Sequence, residues 1–316
     1  MQHASGGDSM KSLRIGVVGL GDIARKAYLP ILSQAEHWQL AGAWSPGQAR
    51  ARQLCQQYRI ACFSSLEALS SQCDAVFVHS STASHYEVVK ALLLAGKHVY
   101  VDKPLAETLA QAEELVALAA SRNLLLMVGF NRRFAPLYQR LRQLRPFPDS
   151  LRMEKHRIDN IGPHPLAFTL LDDYLHVVDT ALWLAETPDA PATLCGGLLR
   201  CNPQGQLIYA EHQFQSAQGM ITTSMHRQAG SQRESVQLVN EGGGYQVDNL
   251  REWREERGGT VSLHPAPSWQ STLEQRGFVG AVRHFIDAVV SHTPPLTSGD
   301  QALRAQRVIE MLLRKR

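Results

Sequence analysis

A chain of 316 residues, 44% hydrophobic and carrying a formal net charge of +3, has room for two ordinary domains, and its scattered basic residues form no stripe for nucleic acid. No apolar run reaches the length of a membrane span, and residues 1–10 lack the basic start and apolar middle of a secretion signal; they read as a disordered extension of a cytoplasmic protein. Five cysteines without a C-x-x-C pair suit a reducing compartment, and thirteen histidines without H-E-x-x-H or a Cys/His cluster argue against a metal site.

The first informative stretch is 14–24, R-I-G-V-V-G-L-G-D-I-A. Ile15, Val17 and Val18 make a β-branched run typical of a strand buried on both faces of a parallel sheet. Gly19, Gly21 and Ala24 follow as G-x-G-x-x-A, where the first glycine permits a sharp turn, the second admits a pyrophosphate, and the small third residue lets the next helix pack closely. The pattern predicts a dinucleotide held at that helix start by Gly19, Leu20, Gly21, Asp22 and Ile23. A helix to about residue 35, with Pro30 inside it, precedes a strand over 40–44. An acid after that strand would hold a ribose 2'-hydroxyl and repel a 2'-phosphate; the position falls on Ser45, with Arg50 one turn into the next helix, which favours NADP over NAD. Ser45 would serve equally as N-cap of the helix over 48–58.

A third strand over 74–78 ends in His79-Ser80-Ser81-Thr82, at the carboxyl end where open α/β sheets bind ligands. A helix from His85 closes at Gly96, a strand over 98–101 leads into Asp102-Lys103-Pro104, and a helix over 109–121 precedes a strand over 124–128. This alternation predicts a doubly wound parallel sheet, a Rossmann domain over 11–131. The remainder, 132–316, shows short period-two strands over 151–157, 194–201, 207–214, 220–225, 235–239, 245–248 and 260–263, which predict an α+β domain on a large, mostly antiparallel open sheet. Helices are predicted over 170–185, 273–291 and 300–314, the last two packing back toward the first domain.

In the helix over 170–185, Asp172, His176 and Asp179 fall at i, i+4 and i+7 and so share one face of an α-helix whose remainder is apolar. Such a row either pairs internally or lines a wet cleft, because unpaired buried charge is costly. In the first case it is an intrahelical Asp-His pair. In the second, His176 takes the hydroxyl proton of an alcohol, Asp172 orients the ring and favours its charged form, and Lys103 steers the substrate oxygen and the cofactor amide. The alternative for Lys103 taken alone is a surface lysine after a strand.

Taken in order, G-L-G-D-I-A, A-G-K-H-V-Y-V-D-K-P, G-F-N-R-R-F and D-D-Y-L-H-V-V-D make the chain, from residue 11 to its end, resemble the glucose-fructose oxidoreductase/inositol dehydrogenase (Gfo/Idh/MocA) family, and within it the MviM-like branch associated with virulence in enteric bacteria. The resemblance implies that Lys103, Asp172 and His176 are catalytic, that Ser80, Ser81, Thr82, His85, Asp102 and Lys103 flank the nicotinamide half of the cofactor with Arg132 beside them, and that the peptide before Pro104 is cis. Asp102 stands where the family usually has Glu, and Ser81 where it usually has Pro. The implied activity is NAD(P)-dependent hydride transfer with a secondary alcohol of a sugar or polyol, bound between the domains with Asp159, Asn160 and Tyr174 as contacts, in a homodimer or homotetramer formed through the outer face of the large sheet. Two other classes keep the cofactor: a glycosidase that oxidises its sugar transiently, and a non-catalytic NADP(H) redox sensor.

Overall fold

The structure is a computed structural model that describes residues 12–34, 36–186 and 190–314. The extension expected over 1–10 lies outside the described residues. Six parallel strands, β1 (Leu13–Val18), β2 (Trp38–Trp44), β3 (Ala61–Cys62), β4 (Ala75–Val78), β5 (His98–Val101) and β6 (Leu126–Val128), lie in the order β3-β2-β1-β4-β5-β6. Ile15, Val17, Val18, Val76, Phe77 and Val78 are fully buried, as a sheet with helices on both faces requires. The strand order reverses between β1 and β4, so the crevice beyond their carboxyl ends is the ligand position of this architecture. Gly19 sits there with φ +85°, and a Cβ on it would lie 2.5 Å from the Ser80 amide nitrogen, so only glycine fits both the conformation and the crossing. The two-residue β3 and the short helix Leu66–Ser70 were not expected, being too brief to carry a periodic signal.

Eight further strands form the second sheet: β7 (Ser150–His156), β8 (Thr193–Cys201), β9 (Leu207–Gln215), β10 (Met220–His226), β11 (Arg233–Asn240), β12 (Gly243–Asp248), β13 (Glu252–Arg257) and β14 (Thr260–Pro265). Their order is β14-β13-β12-β11-β7-β10-β9-β8, antiparallel throughout except for the central pair β7 and β10. The sequence E-W-R-E-E-R conceals β13 because Trp253 alone among its residues is buried. Leu151, Met153 and Lys155 on β7, and Ile221, Thr223 and Met225 on β10, alternate onto the inner face, where the helix Leu175–Ala185 covers both strands.

One core runs from Val76, Val78 and Val101 of the first sheet through that helix to Met153 and Met225 of the second. A second core, on the other face of the first sheet, joins Tyr28, Phe77 and Tyr100 to Phe285 and Ile286 of the helix Phe278–Ser291, and the last helix, Gly299–Arg314, lies against Leu109–Ser121 and Leu175–Ala185.

The helix expected as a single α-helical run over 170–185 begins instead with a π-helical turn, Leu170–Tyr174, ahead of the α-helix Leu175–Ala185. A wider turn shifts the angular phase of everything before it. The row expected on one face is nonetheless divided elsewhere: Asp172 and His176 line a large cavity on either side of the end of that turn, while Asp179, three residues past His176 within the regular α-helix, faces another cavity and pairs with Arg133. A second π-helical turn, Ala24–Tyr28, precedes Pro30, which has no amide hydrogen to give to the helix ladder.

Candidate active site

A cavity of about 620 Å³ opens between the strand-end loops of the first sheet and the π-helical turn of the second domain. Ser80, Ser81 and Thr82 reach it from the loop after β4, Asp102 and Lys103 from the loop after β5, Asn131 and Arg132 from the connection to the second domain, and Asp172 and His176 from the helix. This volume lies within the range of small-molecule sites.

The peptide from Lys103 to Pro104 is cis, as expected, and Lys103 Nζ donates to Asp172 Oδ1 at 2.8 Å and to the Asp172 carbonyl at 2.6 Å. The partnership expected for Asp172 is thereby corrected: its carboxylate holds the Lys103 ammonium, not the His176 ring. His176 is buried, and its Nδ1 has no hydrogen-bond partner among the described residues. Burial first, then the nearby cations Arg132, Lys103, Lys155 and Arg157, hold the His176 ring well below the usual imidazole range. Its surroundings favour the neutral ring, contrary to the charged form expected from an Asp172 partner.

The cofactor positions separate into those whose side chains face the cavity and those that offer only backbone. Gly21 begins the turn into the helix, and a Cβ there would meet nothing within 4 Å, so its backbone is open to a ligand. Ile23 lines the cavity, Leu20 is buried in the core, and Asp22 turns outward to Arg25 and Lys26. Ser80 Oγ is buried without a partner among the described residues and lies on the cavity wall. His85 ties this loop to the next, its Nδ1 2.7 Å from the Pro104 carbonyl and its Nε2 3.0 Å from the Ser80 carbonyl. Burial pushes the Asp102 carboxyl up, against Lys103 and His85, which pull it down. An open glycine turn, an unpartnered hydroxyl and a crevice at the strand-order reversal fit a dinucleotide. Ser45 is not the N-cap of the following helix: Gly47 holds that position, and the Ser45 carbonyl accepts from Gln48 Nε2. Arg50 is exposed in the first turn of that helix. Arg132 reaches the cavity wall, but its Nε and Nη2 fork onto Glu234 at 2.6 and 2.7 Å.

The three expected substrate contacts do not reach the cavity. Tyr174 is buried against the sheet, its hydroxyl 2.7 Å from Thr223 Oγ1 and 2.9 Å from His212 Nδ1. Asp159 is exposed beside Gln228, and Asn160 spends its backbone on Arg227. Tyr174 ends the π-helical turn and is buried, and the loop over 159–160 lies past the end of the central strand β7, bonded to the residue just after β10. Phe168, Leu250, Arg276 and Phe278 are wall residues that no sequence pattern marked, because distant segments supply them.

A sequence profile described as an oxidoreductase family with an NAD-binding Rossmann fold matches residues 13–130, and one described as a YceM-like C-terminal domain matches 136–258. The chain is 61% identical over 305 residues to the candidate oxidoreductase YceM of Salmonella typhimurium, covering 96% of this chain and 98% of that one. A crystal structure of a dehydrogenase (MviM) from Clostridium difficile superposes with a TM-score of 0.94 at 40% identity, covering 97% of this chain and all of that one. Over 186 residues the chain is 31% identical to the UDP-N-acetylglucosamine 3-dehydrogenase of Acidithiobacillus ferrooxidans, 58% of each protein. Full-length identity to an oxidoreductase, a matching nucleotide-binding profile and the cavity at the Rossmann crevice lead to one conclusion: this chain belongs to the Gfo/Idh/MocA family of NAD(P)-dependent oxidoreductases.

Proposed function

We propose that the protein transfers hydride between NADP(H) and a secondary alcohol or the corresponding ketone of a sugar or polyol. The observation that carries this reading is the meeting of Lys103, Asp172 and His176 on the wall of the cavity at the Rossmann crevice. A bound nicotinamide supplies the hydride acceptor or donor. The neutral His176 imidazole accepts the hydroxyl proton, Lys103 stabilises the oxygen as it becomes negative, and Asp172 holds the ammonium in place. The sugar-nucleotide dehydrogenase among the relatives supports a sugar-like substrate. Parallel NADPH and NADH titrations, followed by a panel of sugars and inositols with absorbance readout of the nicotinamide, test this proposal. Failure to transfer hydride to or from any polyol or ketose, with cofactor bound, would count against it.

The preference for NADP rests on Ser45 and the exposed Arg50 beyond β2, where no acid repels a 2'-phosphate. Arg50→Ala is expected to weaken NADPH binding by about tenfold and to leave NADH binding unchanged, as for loss of one charge-assisted contact. Equal effects on both cofactors would remove Arg50 from the site.

Leu198, Met220, Val239, Val261 and Leu263 are exposed on the outer face of the second sheet. Apolar residues spread across one sheet face favour burial against another copy. The expected state is a homodimer or a homotetramer built from such dimers, and a monomer in light scattering at micromolar concentration would overturn it.

A further inference from the structure

At Thr82, Glu107 and Phe168 the active-site cavity adjoins a smaller recess of about 200 Å³, which has those three residues in its own wall as well. The recess is mainly apolar: Leu109 reaches it from the start of the helix Leu109–Ser121, Leu171 from the π-helical turn, and Ile309 and Leu313 from the last helix. The polar wall residues of that last helix are engaged elsewhere. Gln306 donates Nε2 to the Ala106 carbonyl at 3.0 Å, and Glu310 pairs with Arg314 at 3.1 Å. On the glycine-turn side the cavity is lined by Ile23 and by Phe278, which packs on Tyr28 of the same segment. The recess shares neither residue, so the part of a cofactor held at the glycine turn does not fill it.

Phe168 is the side chain that joins the two spaces. In the short helix Leu166–Thr169, Leu166 and Thr169 turn to the core, while Ala167 and Phe168 face outward. Phe168 keeps 39% of its exposure, and its ring stacks on His164 with centroids 4.1 Å apart. A large apolar side chain held in the wall of a concave site, with further apolar surface behind it, marks a ligand surface. Phe168 precedes Asp172 by four residues, about one helical turn or roughly 6 Å along the axis. A sugar-sized molecule with its reacting oxygen at Lys103 and Asp172 spans that distance and can rest its next substituent in the recess.

We propose that the substrate is a sugar or polyol bearing an apolar substituent, an aryl ring or a short alkyl or acyl chain, which is received in this recess against Phe168 and Leu171. The inference rests on the oxidoreductase reading and adds its substrate class. An apolar cavity of about 150 Å³ holds a benzene ring, so the recess suits one ring or a chain of roughly four to six carbons. Thr82 and Glu107, in the wall of both spaces, meet the hydroxyls between that substituent and the reacting carbon. A bare monosaccharide leaves the apolar wall in water, forgoes its burial and is the poorer substrate.

The test reads binding without turnover. The protein saturated with NADP is titrated with the phenyl, butyl and methyl β-glycosides of glucose, galactose and mannose, and binding is followed by ligand-observed saturation-transfer NMR. For at least one sugar the phenyl or the butyl member is expected to bind about tenfold to a hundredfold more tightly than the methyl member, with the strongest transfer to the protons of its substituent. Preference for phenyl identifies a ring, and preference for butyl a chain. Phe168→Ala trims an exposed side chain and Ala167→Trp fills the recess from an exposed position, so both variants should fold. Each is expected to cut that ratio about tenfold, with Phe168→Leu recovering part of it. Ratios near one for all three sugars, no saturation by any phenyl or butyl member up to about 50 mM, or a ratio kept in both variants with unaltered melting temperature overturns the proposal. Hydride transfer is assayed separately. Selective binding without any redox activity would sink the oxidoreductase reading alone, and redox activity without preference for an apolar substituent would sink this one alone.

Discussion

His176→Ala is expected to lower kcat/KM by about 10²–10⁴-fold, the usual contribution of a positioned proton acceptor, while NADPH affinity stays nearly constant. The ring sits in the cavity wall on the first turn of the α-helix Leu175–Ala185, and the cofactor positions around Gly19, Gly21 and Ser80 lie on another domain. Burial and the four surrounding cations keep the ring neutral, so the base is ready at neutral pH and remains so below the usual imidazole range. The pH profile of kcat/KM for alcohol oxidation should therefore be flat through pH 6.5 and fall only at more acid values, where the ring finally gains its proton, and the residual activity of the variant should lack that acid limb. The same sign governs stability. A histidine neutral in the native state and protonated when unfolded costs stability as pH falls below its unfolded value near 6.5, so removing it should make the protein relatively more acid-tolerant. Parallel loss of cofactor binding and turnover would show instead that His176 supports the fold of the crevice.

The first sheet is legible in the sequence because each of its signals has a backbone cause. Gly19 must be glycine for its positive φ and for its contact with Ser80, and the buried strands are continuous apolar runs since both faces are covered. Lys103 and His176 were legible as well, one from its place after a parallel strand and the other from helical spacing. Spacing did not name the partners: Asp172 in the π-helical turn pairs with Lys103, Asp173 beside it with the cations Lys155, Arg157 and Arg227, and Asp179 in the α-helical part with Arg133, all of them supplied by other segments of the chain. The cluster had a signal of its own in L-R-M-E-K-H-R. Leu151, Met153, Lys155 and Arg157 share one parity, so two cations occupy positions that the alternation assigns to the core. Leu250, Arg276 and Phe278 had none, because chain segments far apart in sequence meet at the cavity only after folding.

Asp179→Ala is expected to destabilise the protein by about 3–5 kcal/mol, the cost of leaving a buried partner charge unpaired. Arg133 Nε donates to Asp179 Oδ2 at 3.0 Å, with both side chains nearly sealed from water, and the guanidinium lies between the rings of Phe130 and Trp183. Arg133 belongs to the connection between the sheets and Asp179 to the helix covering the second one, so the pair fastens the connection to that helix. Removing the carboxylate alone strands the arginine; replacing both, as in Arg133→Met with Asp179→Leu, removes the unpaired charge and should recover most of the loss. Urea unfolding of the two variants separates the outcomes. Asp179 lines a different cavity from His176, so the folded Asp179→Ala protein should keep its turnover. A variant that unfolds normally but has lost hydride transfer would return Asp179 to the row it shares with Asp172 and His176 in an ideal helix, and with it the expectation that all three serve the same reaction.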